Sequence, residues 1–111
     1  MSVSNDYLEY LHDLLAWVPA LRHRRMFGGA GLYGDDLFFA IVADDTLYLK
    51  ADDQSRPFYR AGGGDAFVFV SKKGESSTMD YWSVPADVLE EPEVLERWVR
   101  AALDTALRAR K

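Results

Sequence analysis

Three glycines in the first third of the chain have the spacing of a phosphate-binding loop. Gly29, Gly31 and Gly34 form G-x-G-x-x-G, in which a tight turn and a helix N-terminus hold the pyrophosphate of a dinucleotide. This chemistry requires a strand before the glycines and a helix directly after them. Residues 37–45 follow instead, and their β-rich run ending in two aspartates predicts a strand. We therefore expect a hairpin whose glycines permit a β-bulge and a close backbone approach, and no nucleotide site.

Adjacent carboxylates are a second group of residues with potential chemistry. They occur at three turns, Asp35–Asp36, Asp44–Asp45 and Asp52–Asp53. Neighbouring side chains on a strand point to opposite faces, so such pairs fit turns better than an acid–base dyad. The sequence also shows no nucleophile with a base and an orienting group. The chain is therefore predicted not to be an enzyme, and we assign it no catalytic residue, no metal ligand and no cofactor.

Of the two histidines of the chain, His12 is predicted to be a surface or boundary residue rather than a ligand. No second histidine, cysteine or paired carboxylate lies at i+3 or i+4 from His12, as a metal site on one helix face would need. His23 lies among Arg22, Arg24 and Arg25, and these positive neighbours disfavour its protonated form. The segment around His23 is predicted to be a solvated basic turn.

The composition predicts a single domain over residues 1–111 with an ordinary hydrophobic core. The chain contains no cysteine, which excludes disulfides and thiolate sites. It shows neither a signal-peptide pattern nor an apolar run long enough to span a membrane, so we expect a cytoplasmic protein with no membrane partner. Its net charge of −5 disfavours direct nucleic-acid binding, because domains that bind phosphates are usually basic.

The hydrophobic pattern predicts an α-helix near each end of the chain. Over residues 4–18, apolar residues recur at three- and four-residue steps until Pro19, with Ser4 or Asp6 as the N-cap. The same periodicity resumes after Pro92, which suits the first helical position, and basic residues close that helix.

Five strands are predicted between these two helices. They cover residues 26–33, 37–42, 46–51, 66–71 and 78–84. A short helix over residues 52–60 separates the third strand from the fourth, and residues 86–90 add one helical turn. The order α-β-β-β-(α)-β-β-α predicts an α+β fold of two layers, an antiparallel five-stranded sheet with its helices on one face.

The strands carry more large aromatic residues than one face of a small sheet must bury. Because helices cover only one face, the other face needs solvent or a partner. Tyr, Trp and Arg are enriched in protein interfaces. We therefore predict a protein-interaction surface, made of Arg24, Arg25, Phe27, Gly28, Gly29, Tyr48, Tyr81 and Trp82.

The glycine segment and the strands that follow it also carry a family likeness. The matching stretches are Arg25-Met26-Phe27-Gly28-Gly29-Ala30-Gly31-Leu32-Tyr33 and residues 39–52, continued by Phe58, glycines 62–64, Met79-Asp80-Tyr81-Trp82, Pro85 and Trp98. With these residues the chain resembles the N-terminal domain of the TfoX/Sxy competence-regulator family. The resemblance implies a two-layer α/β domain similar to secretion chaperones. Full-length members carry a second, C-terminal helical domain, which we expect this stand-alone form to lack.

The resemblance also implies a regulatory role. Full-length members are similar to transcriptional co-activators of DNA-uptake genes that work with a cyclic-AMP receptor protein. We therefore expect a bacterial regulatory or protein-interaction module, whose partner is a transcription factor or a second copy of the chain. Two alternatives stay open: a small ligand beside the Gly28–Gly31 turn, and direct DNA contact. The DNA alternative uses Arg22, Arg24, Arg25, Arg108, Arg110 and Lys111.

Overall fold

A computed structural model describes residues 4–26, 28–70, 73–74 and 76–110, apart from the side chains of 69–70 and 76–79. These ranges form four helices and one sheet of six strands. The helices are α1 (Asn5–Leu14), α2 (Arg56–Ala61), α3 (Ala86–Leu89) and α4 (Pro92–Ala109). The strands are β1 (Arg22–Met26), β2 (Gly29–Gly34), β3 (Leu37–Ala43), β4 (Thr46–Lys50), β5 (Ala66–Val70) and β6 (Ser76–Ser83). Within the described ranges, no helix combines the length and hydropathy needed to cross a membrane.

The sheet is antiparallel, with the strand order β1-β2-β3-β4-β6-β5. The first four strands form a meander, and β6 then pairs with β4 and leaves β5 at the far edge. This arrangement confirms the predicted α+β class and the antiparallel sheet. The likeness to secretion chaperones stays a prediction.

The prediction of five strands is wrong, because the segment predicted as a basic turn is itself a strand. β1 pairs with β2 in a register that places Arg24 opposite Gly31. Gly28, with φ 76°, lies between the two strands. The side chains of β1 are mostly exposed on both faces, so the sequence shows no alternation of apolar and polar residues. Charges on an edge strand also oppose its pairing with another chain.

The predicted helices are found, with two boundaries corrected. α1 ends at Leu14 rather than at Val18, although Leu15 and Val18 are still buried in the turns that follow. Of the two predicted caps, Ser4 is the one used, since its Oγ accepts the Tyr7 N–H at 3.1 Å. α3 and α4 lie where the sequence predicts them, whereas α2 begins at Arg56 after the cap Ser55 rather than at the predicted Asp52 or Asp53.

One hydrophobic cluster joins the helices to one face of the sheet. Along β2, β3 and β4 it contains Ala30, Leu32, Phe39, Ala40, Val42, Leu47 and Leu49. The helices contribute Leu8, Leu11, Tyr59, Val88, Leu95, Trp98, Val99, Ala102 and Ala106. Because all four helices supply residues to the same cluster, they share one face, as predicted. We call the opposite side the open face, defined by Arg22, Arg24, Tyr33, Phe38, Tyr48, Lys50 and Tyr81.

A β-bulge in β3 distributes neighbouring residues between the two faces. Leu32 pairs with Ala40 and Tyr33 pairs with Phe38, so Phe39 has no partner across the strand. Phe39 and Ala40 are both fully buried in the helix-side cluster, while Phe38 stacks on Tyr33 of the open face. The bulge predicted for the glycine segment therefore lies on the strand that pairs with it.

Candidate functional site

Neighbouring atoms fill the space beside the glycines of the G-x-G-x-x-G pattern. A Cβ at Gly29 would overlap the carbonyl oxygen of Val42 in β3. A Cβ at Gly31 would lie 2.7 Å from Phe38 Cε1 and 2.8 Å from Met26 Cε. β3 rather than a helix follows the glycines, as predicted. These glycines therefore allow close packing within the sheet, and no helix N-terminus meets a phosphate here.

A ladder of aromatic and basic side chains crosses the open face from β1 to β6. The Arg22 guanidinium lies 4.2 Å from the centroid of the Tyr33 ring, and Tyr33 stacks on Phe38 with 5.1 Å between centroids. Phe38 lies 6.1 Å from the ring of Tyr81. Lys50 Nζ lies 5.9 Å from the Phe38 centroid and 5.4 Å from the Tyr81 centroid. Ring pairs and cation–π contacts at these distances are each favourable, so the side chains of the ladder hold one another in place.

Lys50 and Arg24 are the cations of the open face that have no carboxylate partner in the described part of the chain. The half-buried Lys50 ammonium donates to Tyr81 Oη at 3.5 Å. Burial raises the pKa of Tyr81, and the nearby Tyr33 adds to this shift, so the phenol is neutral at pH 7. Arg22 differs, because its guanidinium lies 3.4 Å from Asp36 Oδ1.

Tyr48 lies toward the β5 end of the open face, which is more acidic than the β1 end. Its ring packs edge-on against Phe67 of β5, with 4.8 Å between centroids. Burial raises the pKa of Tyr48, and the negative charges of Asp44 and Asp65 raise it further. The open face is therefore basic near β1 and acidic near β5.

A shallow cavity of about 210 Å³ lies where the ladder meets the last turns of α4. Its lining includes Asp36, Phe38, Lys50, Ala106 and Arg110. It does not include the turn at residues 28–31, where the small-ligand alternative places its pocket. Any ligand chemistry that this cavity supports would therefore involve the ladder rather than the glycines.

The eight residues predicted as one interaction surface lie on different sides of the sheet. Arg24, Tyr48 and Tyr81 lie on the open face. Trp82 follows Tyr81 on β6 and therefore faces the helices, where it belongs to the core cluster. Its Nε1 donates to Asp80 Oδ1 at 3.2 Å, which fixes the indole in place.

The remaining predicted surface residues are at or near the β1–β2 turn. Arg25 faces the helix side and donates to Asn5 Oδ1 of α1. Gly28 is exposed in the turn, and Gly29 packs against the backbone of β3. Phe27 lies outside the described residues. Only part of the predicted set is therefore brought together on the open face.

A polar network that the sequence did not reveal ties α4 to the loop after β4. Arg108 donates to Asp52 from Nε at 2.8 Å and from Nη2 at 2.9 Å. These hydrogen bonds, with further help from Ser55, hold the pKa of Asp52 far below its ordinary value. The hydroxyls of Ser55 and Thr105 lie 2.9 Å apart and are buried. Arg108, predicted as a DNA contact, therefore has a structural partner within the chain.

The two histidines lie against each other, a contact that the sequence did not predict, although His23 is exposed and His12 is partly exposed as expected. His12 occupies the last turn of α1 and His23 lies on β1, with His12 Nε2 2.8 Å from His23 Nδ1. The pKa of His23 is lowered by burial first and then by the charges of His12 and Arg25. The effect of the arginine agrees with the sequence prediction. Eleven residues and two different elements separate the pair, so no local spacing signals it.

The family likeness is established by direct comparison. A family model described as the TfoX N-terminal domain matches residues 13–106. The chain belongs to this family. The match includes all six strands, and with them the glycine segment and the open face, whereas His12 and Arg108 lie outside it.

Two proteins that are similar in sequence to this TfoX N-terminal domain are longer than this chain. Protein Sxy of Escherichia coli is 32% identical over 107 residues, which cover 96% of this chain and 51% of that protein. The DNA transformation protein TfoX1 of Aliivibrio fischeri is 30% identical over 83 residues, which cover 75% of this chain and 39% of that protein. The matched regions thus span about half of one relative and less of the other.

Proposed function

We propose that this chain is a non-enzymatic regulatory module of the bacterial cytoplasm, which binds a protein partner through its open face in a role related to competence regulation. The observation that carries the proposal is the ladder from Arg22 to Tyr81, an ordered row of rings and cations on the sheet face opposite the helices. The name of one relative, a DNA transformation protein, supports the link to competence.

The ladder has the composition and the rigidity that suit a protein interface. Aromatic and arginine side chains contribute most of the binding free energy at the centres of such interfaces. Stacking already holds Tyr33 and Phe38 in one arrangement. Little side-chain entropy is therefore lost when a partner covers them, and this strengthens binding.

The unpaired cations of the open face suit an acidic partner. Arg24 and Lys50 have no carboxylate partner among the described residues, and complementary charge strengthens specific association. A second copy of the chain presents an acidic end of its own near Asp44 and Asp65, so the crosslinking test below separates it from a different protein. We therefore propose a partner with an acidic surface, a transcription factor being the kind that the family context suggests.

A photo-crosslinking amino acid tests which face of the protein binds the partner. It replaces Tyr48 on the open face or, as a matched control, Phe58 on α2, which is 42% exposed. Both variants are expressed in the bacterium that carries the gene and irradiated in living cells. We expect one protein to be crosslinked from position 48 and not from position 58.

Charge reversal adds a second, independent measurement. Arg24→Glu combined with Lys50→Glu is expected to abolish the crosslink from position 48, because both substitutions repel an acidic partner. Arg97→Glu, an exposed position on α4, is expected to leave it unchanged. The proposal is wrong if the crosslink comes equally from both faces, if it survives the charge reversal, or if it joins two copies of the chain.

The DNA alternative receives less support from the contacts of its residues. Arg22 and Arg108 are paired with Asp36 and Asp52. Arg25 donates to Asn5. Among the described residues of the predicted patch, Arg24 and Arg110 thus remain for phosphates without breaking contacts within the chain.

A further inference from the structure

The facing ring nitrogens of His12 and His23 form a site that the proposed function does not use. His12 Nε2 and His23 Nδ1 are 2.8 Å apart, and the rings meet edge-to-face at 70° with 5.1 Å between centroids. One nitrogen must carry a hydrogen for this hydrogen bond to form, while the other offers its lone pair. The pair joins the last turn of α1 to the edge strand β1.

A metal ion can replace the shared hydrogen if both rings tilt so that their lone pairs converge on it. Zinc binds histidine nitrogen at about 2.0–2.1 Å, so two nitrogens on one tetrahedral or octahedral ion lie about 3.0–3.4 Å apart. The observed separation of 2.8 Å needs to grow by only a few tenths of an ångström, with a tilt of both rings. His23 is exposed and His12 is partly exposed, so both side chains have room for this rotation.

We propose that His12 and His23 form a two-imidazole site for a first-row transition-metal dication, with water molecules completing the coordination. Imidazole suits Cu²⁺, Ni²⁺ and Zn²⁺, whereas Mg²⁺ and Ca²⁺ prefer oxygen ligands. Among the described residues, no group of three or more His, Cys, Asp or Glu side chains could hold a metal ion. The site is therefore a weak or moderate one, and binding is strongest for Cu²⁺.

Two electrostatic influences act on an ion at this position. The ion lies at the last turn of α1, where the negative end of the helix dipole favours a cation. Arg25 lies two residues from His23 on the same side of β1 and opposes a cation, although its guanidinium is bonded to Asn5. The site faces away from the open face, so metal binding and partner binding are separate properties of the chain.

The experiment uses the complete chain without a polyhistidine tag, because His12 and His23 are then its only histidines. Calorimetric titration is expected to show one ion per chain for Cu²⁺, Ni²⁺ and Zn²⁺, and no comparable binding of Mg²⁺. Zn²⁺ is expected to shift the imidazole nitrogen resonances of both histidines in NMR spectra. His12→Gln and His23→Gln are each expected to weaken binding about tenfold or more, since one ligand of two is lost, whereas Asp13→Asn changes it little.

Three results would overturn the proposal. The first is that neither Zn²⁺ nor Cu²⁺ binds. The second is that neither histidine substitution changes the affinity for these ions, and the third is that Mg²⁺ and Zn²⁺ bind with equal affinity. Each would mean that the pair is a hydrogen bond only. The NMR measurement on the unsubstituted chain decides the question even if a histidine variant fails to fold.

Discussion

At the scale of single residues, Gly29 and Gly31 differ in what a side chain would meet. We predict that Gly29→Ala lowers the free energy of unfolding by about 2–3 kcal/mol, because its Cβ would overlap a backbone oxygen of β3 that cannot move alone. Gly31→Ala is expected to cost about 1 kcal/mol or less, because Phe38 Cε1 and Met26 Cε are the far ends of side chains that can shift. Urea denaturation measures both values.

Comparing the two glycine variants cancels the effect of each substitution on the free energy of the unfolded chain. Replacing glycine by alanine restricts the unfolded state by a similar amount at both positions, so the difference isolates the contact in the folded sheet. Equal losses of stability at Gly29 and Gly31 would contradict the assigned contacts. The sequence predicted that these glycines allow close approach, but only the register of β2 and β3 shows which atoms approach each one.

At the scale of elements, the sequence predicted those helices and strands whose buried side chains form a recognisable pattern of apolar residues. α4 was predicted from its apolar stripe and from Pro92, and β3 from its continuous apolar run. β1 was missed because an edge strand that is mostly exposed on both sides needs no alternation of apolar and polar residues. The candidate site was predicted in part, since Tyr81 and Trp82 are adjacent and only the pairing of β6 decides which of them faces the helices.

The link between α4 and the loop after β4 makes stability depend on pH. Hydrogen bonds from Arg108 lower the pKa of Asp52, so in acid the unfolded state binds more protons than the folded state and stability rises with pH. The contribution is complete above the ordinary pKa of aspartate, near 3.9, and is lost as pH falls toward the lower folded value. We predict that Asp52→Asn is less stable than the unsubstituted chain at pH 7, and that the difference shrinks in acid.

Denaturation midpoints measured from pH 7 down to pH 2 test this prediction. Asp80, whose pKa is lowered by hydrogen bonds from Arg56, keeps some acid dependence in the Asp52→Asn variant. Asp13→Asn, an exposed position on α1, serves as the control and is expected to follow the unsubstituted chain. An Asp52→Asn variant with undiminished acid dependence would show that the Arg108 link does not set it.

At the scale of the whole molecule, the distribution of charge favours a protein partner over duplex DNA. The net charge is −5, while the cations without carboxylate partners in the described ranges include Arg24 and Lys50 on the open face. A protein partner can bind such a small basic region, because the charges of two proteins need to be complementary only within the interface itself. Duplex DNA presents a long row of phosphates and therefore meets the acidic remainder of the surface as well.

We therefore predict that the chain binds duplex DNA more weakly than about 10⁻⁴ M at physiological salt, the weak limit of ordinary non-specific binding. Fluorescence anisotropy of a labelled duplex, measured over a range of salt concentrations, tests this. At low salt any binding should show a shallow dependence on salt, because few counterions are released when Arg24 and a small number of other cations meet phosphates. Arg24→Glu should remove part of that binding, and Arg97→Glu on α4 serves as the control. Micromolar affinity with a steep salt dependence would instead mean that the ion pairs of Arg22 and Arg108 open on DNA, and that the chain binds nucleic acid directly.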